Sequence, residues 1–207
     1  LFIDDWFAPS VWVAHMFGSR AFAFGATIAL RRETLTAIGG FEAICDQLAD
    51  DYRLGEATRR LGLRTVLSSH IVTTDVVEAD PKSLIERELR WLRTIRSIQP
   101  TGYALCFVTF GPPLALASVL LLPDAAAGEV GLIATVATRL ALHMVQRARA
   151  GAALLSEVWL LVPRDLLSLA LWCASFASWR VGWGRQRFLT GRHGVVYEVK
   201  RGGSGES

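Results

Sequence analysis

The pattern of apolar and polar positions along the 207-residue chain changes character near residue 101. Before that point apolar residues recur at short intervals among charges; after it they run in long, nearly uncharged blocks. Leu48, Tyr52, Leu54, Ala57 and Leu61 fall mostly on one helical face, and Arg53, Glu56, Arg59 and Arg60 mostly on others, which predicts a helix opened by Asp50-Asp51. A second helix is expected from Asp80-Pro81 to about Ser97, because the missing proline N–H is harmless in a first turn. Residues 31–38 read as a short helix stopped by Gly39-Gly40, the usual left-handed termination, with Phe41 plugging the core. The run 21–30 reads as a buried strand or its approach, broken at Gly25. The β-branched stretches 64–68 and 71–77 read as further strands of a small α/β unit, with His70 between them as either a turn or a site residue. Residues 1–19 mix Trp6, Phe7, Trp12 and Phe17 with Asp4, Asp5 and His15. They are too short and too polar to span a bilayer, and suit an interfacial helix, a groove lining or a plain buried helix; His15 has no partners at metal or triad spacing.

Three apolar blocks follow. Residues 102–123 are long enough for one crossing, and Pro112-Pro113 predicts a break in the middle. Residues 130–145 are shorter and hold Arg139 and His143, which must face protein, water or headgroups; the block reads as a crossing with a polar inner side, or as a re-entrant or interfacial piece. Residues 158–179 can cross and contain Arg164-Asp165. Adjacent helical residues do not face one another, so these two need not pair, and an interhelical structural role is expected for each. Trp159, Trp172, Trp179 and Trp183 read as interfacial anchors. The positive-inside rule wants both the basic tail from Arg180 and the Arg-rich region before Gly102 in the cytoplasm. That requires an even number of crossings, so the block 130–145, the shortest and most polar, is set aside.

Composition strengthens the membrane reading. The chain is 52% hydrophobic with seven Trp and a positive mean hydropathy, too apolar for an ordinary soluble domain of this size. Its net charge is only +3, with no strong basic patch on a soluble face, so nucleic acid is not an expected partner. Cys45, Cys106 and Cys173 are too few and too widely spaced for a disulfide framework or a zinc site.

The candidate chemistry lies between residues 24 and 91. Asp50 and Asp51 sit at a helix N-terminus, where a carboxylate also serves simply as a cap for orphan N–H groups. Arg87, Arg90, Arg93 and Arg96, spaced by three, make one positive stripe along the second helix. Arg93 and Arg96 suit a solvated or headgroup-facing surface. A carboxylate together with an Arg/Trp cluster is what transfer to a hydroxyl from a phosphate-linked donor needs. The carboxylate takes the acceptor proton, and planar guanidinium forks stabilise charge on the departing phosphate.

Asp50-Asp51 followed by Arg87-x-x-Arg90-Trp91 resembles the third Asp motif and the (Gln/Arg)-x-x-Arg-Trp motif of family 21 and family 2 glycosyltransferases. The nearest likeness is to the ceramide glucosyltransferase group, particularly its bacterial hopanoid-biosynthesis-associated members. Phe24-Gly25-Ala26-Thr27, Arg31-Arg32-Glu33 and Gly39-Gly40-Phe41 resemble the segment that precedes the catalytic Asp in that group, and Trp183-Gly-Arg-Gln-Arg-Phe188 resembles its tail.

The resemblance implies an α/β fold, the C-terminal part of a GT-A-type catalytic domain, over residues 1–101. It implies α-helical transmembrane segments over 102–179 and a basic cytoplasmic tail over 180–207. Asp51 would be the general base with Asp50 in support; Arg87, Arg90 and Trp91 would meet the donor pyrophosphate and the acceptor entrance. Gly25 and Ala26 would lie under the sugar, although Gly25 suits a simple bend equally well. The implied activity is inverting transfer of a hexose or N-acetylhexosamine from a nucleotide sugar, UDP-linked by expectation, to a lipid hydroxyl. The setting would be a bacterial inner membrane, multi-pass, with the catalytic part cytoplasmic. The nucleotide-binding half and the Asp-x-Asp that would hold Mg²⁺ or Mn²⁺ have no counterpart here, Asp4-Asp5 lacking the middle residue. With Leu rather than Met at position 1, a fragment of a longer enzyme, inactive by itself, is expected. A non-catalytic membrane subunit and a transporter piece using Arg139, His143, Arg164 and Asp165 are the alternatives.

Overall fold

The structure is a computed structural model that describes residues 3–16, 23–25, 27–68, 80–121, 125–183, 186–190 and 196–198. These residues are mostly helical. They belong to two compact units: residues 1–17 with 101–174, and residues 18–100 with 175–207.

In the first unit a π-helical turn at Ile3–Phe7 leads into α1 (Ala8–Met16). Two short pieces, α5 (Pro100–Leu105) and a 3₁₀ turn (Cys106–Thr109), precede α6 (Gly111–Leu121). The expected break is present. The pieces 100–109 and 111–121 meet at 66°, and Pro112 and Pro113 fall in the first turn of α6, where their missing N–H groups are tolerated. α7 (Ala125–Arg149) is the longest helix described, which corrects the reading of 130–145 as the shortest apolar block. The helix extends the apolar block back through Ala125–Ala127 and runs on through a polar last turn that holds Arg147 and Arg149. α8 (Leu161–Ser175) follows a 3₁₀ turn. Residues 126–149 and 158–175 are each long and apolar enough to cross a membrane, and the bent pair is the interrupted segment.

α6 and α7 pack closely because Gly128 lacks a side chain. A Cβ there would stand 3.0 Å from the backbone of Val119, tighter than all but a few packed contacts, so the backbone would have to give way. Trp172 of α8 lies among Tyr103, Phe107 and Phe110, with ring centroids 6.3, 6.5 and 6.1 Å away, and donates its indole N–H to the Tyr103 carbonyl at 3.1 Å. It is thus a packing residue rather than the expected interfacial anchor, whereas Trp159 is 73% exposed.

The second unit holds α2 (Arg32–Ala37), α3 (Asp50–Arg60) and α4 (Pro81–Ile98). α2 ends as its sequence predicts, with Gly39 and Gly40 at φ of 94° and 74°. At the start of α4 the Asp80 carboxylate accepts from the Ser83 N–H at 2.8 Å, followed by proline in the first turn. Phe41, expected in the core, is 62% exposed, because it opens a 3₁₀ turn at the surface. The tail contributes an antiparallel sheet in the order β1 (Arg180–Trp183), β2 (Gln186–Thr190), β3 (Val196–Glu198). Val181 pairs with Phe188, and Leu189 with Tyr197.

Among the described residues of 1–101 no strand is formed. Residues 27–30 and 64–68 are non-helical stretches without a ladder, and an extended segment becomes a strand only when a neighbour takes its N–H and C=O groups. Residues 71–77, His70 and residues 202–207 lie outside the described residues.

The stripe on α4 also departs from expectation. Arg96 is buried rather than solvated: its guanidinium lies 3.8 Å over the Trp179 ring and 5.3 Å from Phe176, and it donates to the Ser178 carbonyl at 2.7 Å. Arg93 donates to the Arg180 carbonyl at 2.8 Å. Two residues assigned to a headgroup surface instead hold the tail against α4. Trp179 is correspondingly part of this clamp.

Candidate active site

α3 opens directly at Asp50, after Ala49 in the cap position, which offers no side-chain acceptor. The acidic pair therefore takes the orphan donors itself. Asp50 Oδ1 accepts the Asp51 N–H at 2.9 Å, and Asp51 Oδ1 accepts the Tyr52 N–H at 2.7 Å. The other Asp51 oxygen accepts the Gly25 N–H at 2.8 Å. Sequence reasoning set capping against catalysis; the geometry is that of a cap, in which backbone donors fix the carboxylate's orientation without neutralising its charge.

Burial pushes the Asp51 carboxyl above its ordinary range. The Tyr52 and Gly25 N–H groups pull the other way, and the Asp50 charge adds to the upward push. A carboxylate shifted upward is a better proton acceptor. Gly25 approaches Asp51 closely, and a Cβ there would stand 3.4 Å from Asp51 Oδ2, an ordinary contact. Ala26 lies outside the described residues.

On α4, Arg87 pairs with Glu88 at 3.0 Å and lies with its guanidinium carbon 5.5 Å from the centre of the Trp91 ring. Glu88 is buried and Trp91 is 37% exposed, so the indole presents a face to solvent. Burial and the adjacent Arg87 charge push the Arg90 guanidinium down from its usual value. Two guanidinium groups sharing a partly desolvated helix face make an anion welcome there.

The structure thus assembles two clusters. Gly25, Asp50, Asp51 and Tyr52 form one; Arg87, Glu88, Arg90 and Trp91 form the other. They are tied by a hydrogen bond from Gln99 Nε2 to the Tyr52 hydroxyl at 3.1 Å. That tie meets α4 at its C-terminal end, about 18 Å of helix rise beyond Arg87 and about 14 Å beyond Arg90.

The divalent-metal site implied by the resemblance is not built by these residues. Among the described residues no three His, Cys, Asp or Glu side chains are placed to share an ion, and both Asp51 oxygens already accept backbone hydrogens.

A second cluster of ionisable groups lies in the first unit, and sequence reasoning saw only its parts. Asp165 takes Arg139 at 3.1 Å and Arg164 at 2.6 Å, so the adjacent Arg164-Asp165 do pair, through the length of the arginine side chain. Asp5, one of the Asp4-Asp5 pair that lacks the middle residue of an Asp-x-Asp, is fully buried against His143 at 2.9 Å. Its backbone carbonyl also accepts from Arg139 Nη1. The local signal was the presence of ionisable residues in apolar blocks; their partners lie up to 138 residues away.

A carboxylate held by backbone at the start of one helix and an arginine–indole cluster on another stand in a chain with two helices long and apolar enough to cross a membrane. Residues 1–196 match the family model described as glycosyl transferase family 21, and the chain belongs to that family. It is accordingly a glycosyltransferase, a class that uses a glycosyl donor and an acceptor. No curated protein and no solved structure matches the chain.

Proposed function

We propose that the chain is the acceptor-side, membrane-anchoring part of an inverting glycosyltransferase that moves a hexose or N-acetylhexosamine from a nucleotide-sugar donor to a lipid hydroxyl. Asp51 takes the hydroxyl proton as the acceptor oxygen attacks the anomeric carbon. The bond to the nucleoside diphosphate breaks on the opposite face, and Arg87 and Arg90 receive the charge that builds on the leaving phosphate. Trp91 offers its exposed face to the sugar or the acceptor. Asp50 supports Asp51 by holding the first N–H of α3 and by raising its neighbour's basicity.

Residues 1–101 belong to this reading as the C-terminal part of a GT-A-type α/β catalytic domain, and the nucleotide-binding half and the Asp-x-Asp for Mg²⁺ or Mn²⁺ belong to it as parts that these residues do not build. α7 and α8 are the crossings, with the catalytic part cytoplasmic at a bacterial inner membrane. The reading is carried by one observation above all: in a family 21 chain, Asp51 has both oxygens on backbone N–H groups and its carboxyl shifted upward. Asp51→Asn in the full-length enzyme should lower transfer of radiolabelled sugar to extracted lipid by about 10²- to 10⁴-fold while donor affinity stays nearly unchanged. Retained transfer would remove Asp51 from the base role.

A further inference from the structure

Asp50 and Asp51 satisfy the opening of α3 from within the helix. Asp50 Oδ1 takes the Asp51 N–H, and Asp51 Oδ1 takes the Tyr52 N–H. The 2.8 Å bond from the Gly25 N–H to Asp51 Oδ2 is of another kind, because its donor lies 26 residues earlier, outside α3. It satisfies no helix end, and its effect falls on the carboxylate itself. One hydrogen bond leaves a carboxylate free to turn about the bond to Cβ; a second, on the other oxygen and from a separate stretch of backbone, fixes its plane. An ionised carboxylate offers about four lone-pair sites, so one N–H on each oxygen still leaves room for an incoming proton.

The same N–H bears on charge. Burial pushes the Asp51 carboxyl up, the Tyr52 and Gly25 N–H groups hold it back, and the Asp50 charge adds to the push. Other ionisable groups near the start of α3, among the described residues, are engaged elsewhere. Arg53 pairs with Glu56 at 2.6 Å, Asp46 accepts from Gln47 Nε2 at 2.9 Å, and Glu42 on the neighbouring 3₁₀ turn lies against Gly40. The Tyr52 hydroxyl accepts from Gln99 at 3.1 Å. Glycine contributes here through its backbone. A Cβ at position 25 would stand 3.4 Å from Asp51 Oδ2, an ordinary contact, so alanine keeps the same donor in place.

We propose that Gly25 is a positioning residue for the transfer reaction: its N–H holds Asp51 Oδ2 so that the carboxylate meets the acceptor hydroxyl in one orientation. In this role Gly25 acts through Asp51 alone, in place of the simple bend or the sugar support that its sequence allowed. The role rests on the reading of Asp51 as the base. Losing the N–H frees the carboxylate to turn and makes its charged form costlier, so the Asp51 proton is then held to higher pH.

The test compares Gly25→Pro, which deletes the N–H, with Gly25→Ala, which keeps it, in the full-length enzyme in mild detergent, through rate–pH profiles of sugar transfer to lipid. In Gly25→Pro the acid limb should move upward by about one pH unit, and kcat on the plateau should fall about tenfold with the donor KM unmoved. Gly25→Ala should keep the acid limb where the wild type has it and lose less of kcat than Gly25→Pro. A second measurement decides the matter even where Gly25→Pro does not fold. Hydrogen–deuterium exchange, read by mass spectrometry on peptides covering residue 25, should be about tenfold faster in Asp51→Ala than in the wild type, with peptides from α4 unchanged. An acid limb that stays in place in Gly25→Pro, a donor KM raised by Gly25→Ala, or exchange at residue 25 indifferent to Asp51→Ala would overturn the proposal. Failure of the underlying reading shows elsewhere, as sugar transfer retained by Asp51→Asn.

Discussion

Asp165 and Asp5 in the first unit and Asp51 in the second are held in opposite ways. In the first, Asp165 is held by two guanidinium groups and Asp5 meets the His143 ring at 2.9 Å. In the second, Asp51 is oriented by two backbone N–H groups, and its carboxyl is pushed upward. Partners that neutralise a charge stabilise the fold and remove reactivity. Partners that only point it leave the oxygen basic. The contrast sets the proposed base apart from the structural ionisable residues more sharply than burial does, since Asp51 is only half-buried.

Breaking the neutralised side should have the largest effect on folding. Asp165→Asn removes the carboxylate that both Arg139 and Arg164 meet and should cost about 3–5 kcal/mol, read as loss of protease resistance and a lower unfolding temperature in detergent. Arg139→Gln should cost less, because Asp165 keeps Arg164 at 2.6 Å. If the two variants were equally mild, the network would be dispensable and the contrast between the units would fail. Gly128→Val should come next, at about 1–3 kcal/mol, because the new side chain meets the Val119 backbone at the α6–α7 contact.

The reactive side is sharpened by smaller changes. Asp50→Asn keeps the oxygen that accepts the Asp51 N–H but removes the charge that helps raise the Asp51 carboxyl. The Asp51 proton is then lost at lower pH, so the acid limb of the rate–pH profile should move to lower pH; movement upward would refute the assignment of that limb. Smallest is Glu56→Gln. Burial pushes the Glu56 carboxyl up, but the hydrogen bond and charge of Arg53, with the charge of Arg60, outweigh it and hold the group below its ordinary value. Its stabilisation is present above the ordinary carboxylate value and lost as pH falls through the lowered one. The substitution should therefore cost about 0.5 kcal/mol at neutral pH and nothing in strong acid.

Features set by neighbours in the chain were legible in the sequence. Asp80-Pro81, Gly39-Gly40 and the acidic pair before Tyr52 mark helix ends within four residues of the groups they satisfy, and all three helices have those ends. The Arg-x-x-Arg-Trp spacing likewise put Arg87 over Trp91 one turn later. Features set by distant partners were not. Nothing near Asp5 announces His143, and nothing near Arg96 announces Trp179. A stripe of arginines reads the same whether it faces water or clamps a strand. The strands expected in residues 21–30 and 64–68 show the same limit, since β-propensity names a segment's preference and not the neighbour that must complete its ladder. For the site, Asp51 was legible as a candidate because a helix start is local, while its anchoring by Gly25 depended on a contact across 26 residues.

The Arg96 clamp has a consequence for how the polypeptide is threaded. Arg96 stands just before the chain departs into the apolar blocks, and Ser178, whose carbonyl it grips at 2.7 Å, stands just after the chain comes back. Everything between them is a there-and-back excursion from a single post. Pinning both ends at one post closes the excursion into a loop, so α4 and the tail strand that follows stay neighbours across the whole intervening length of chain.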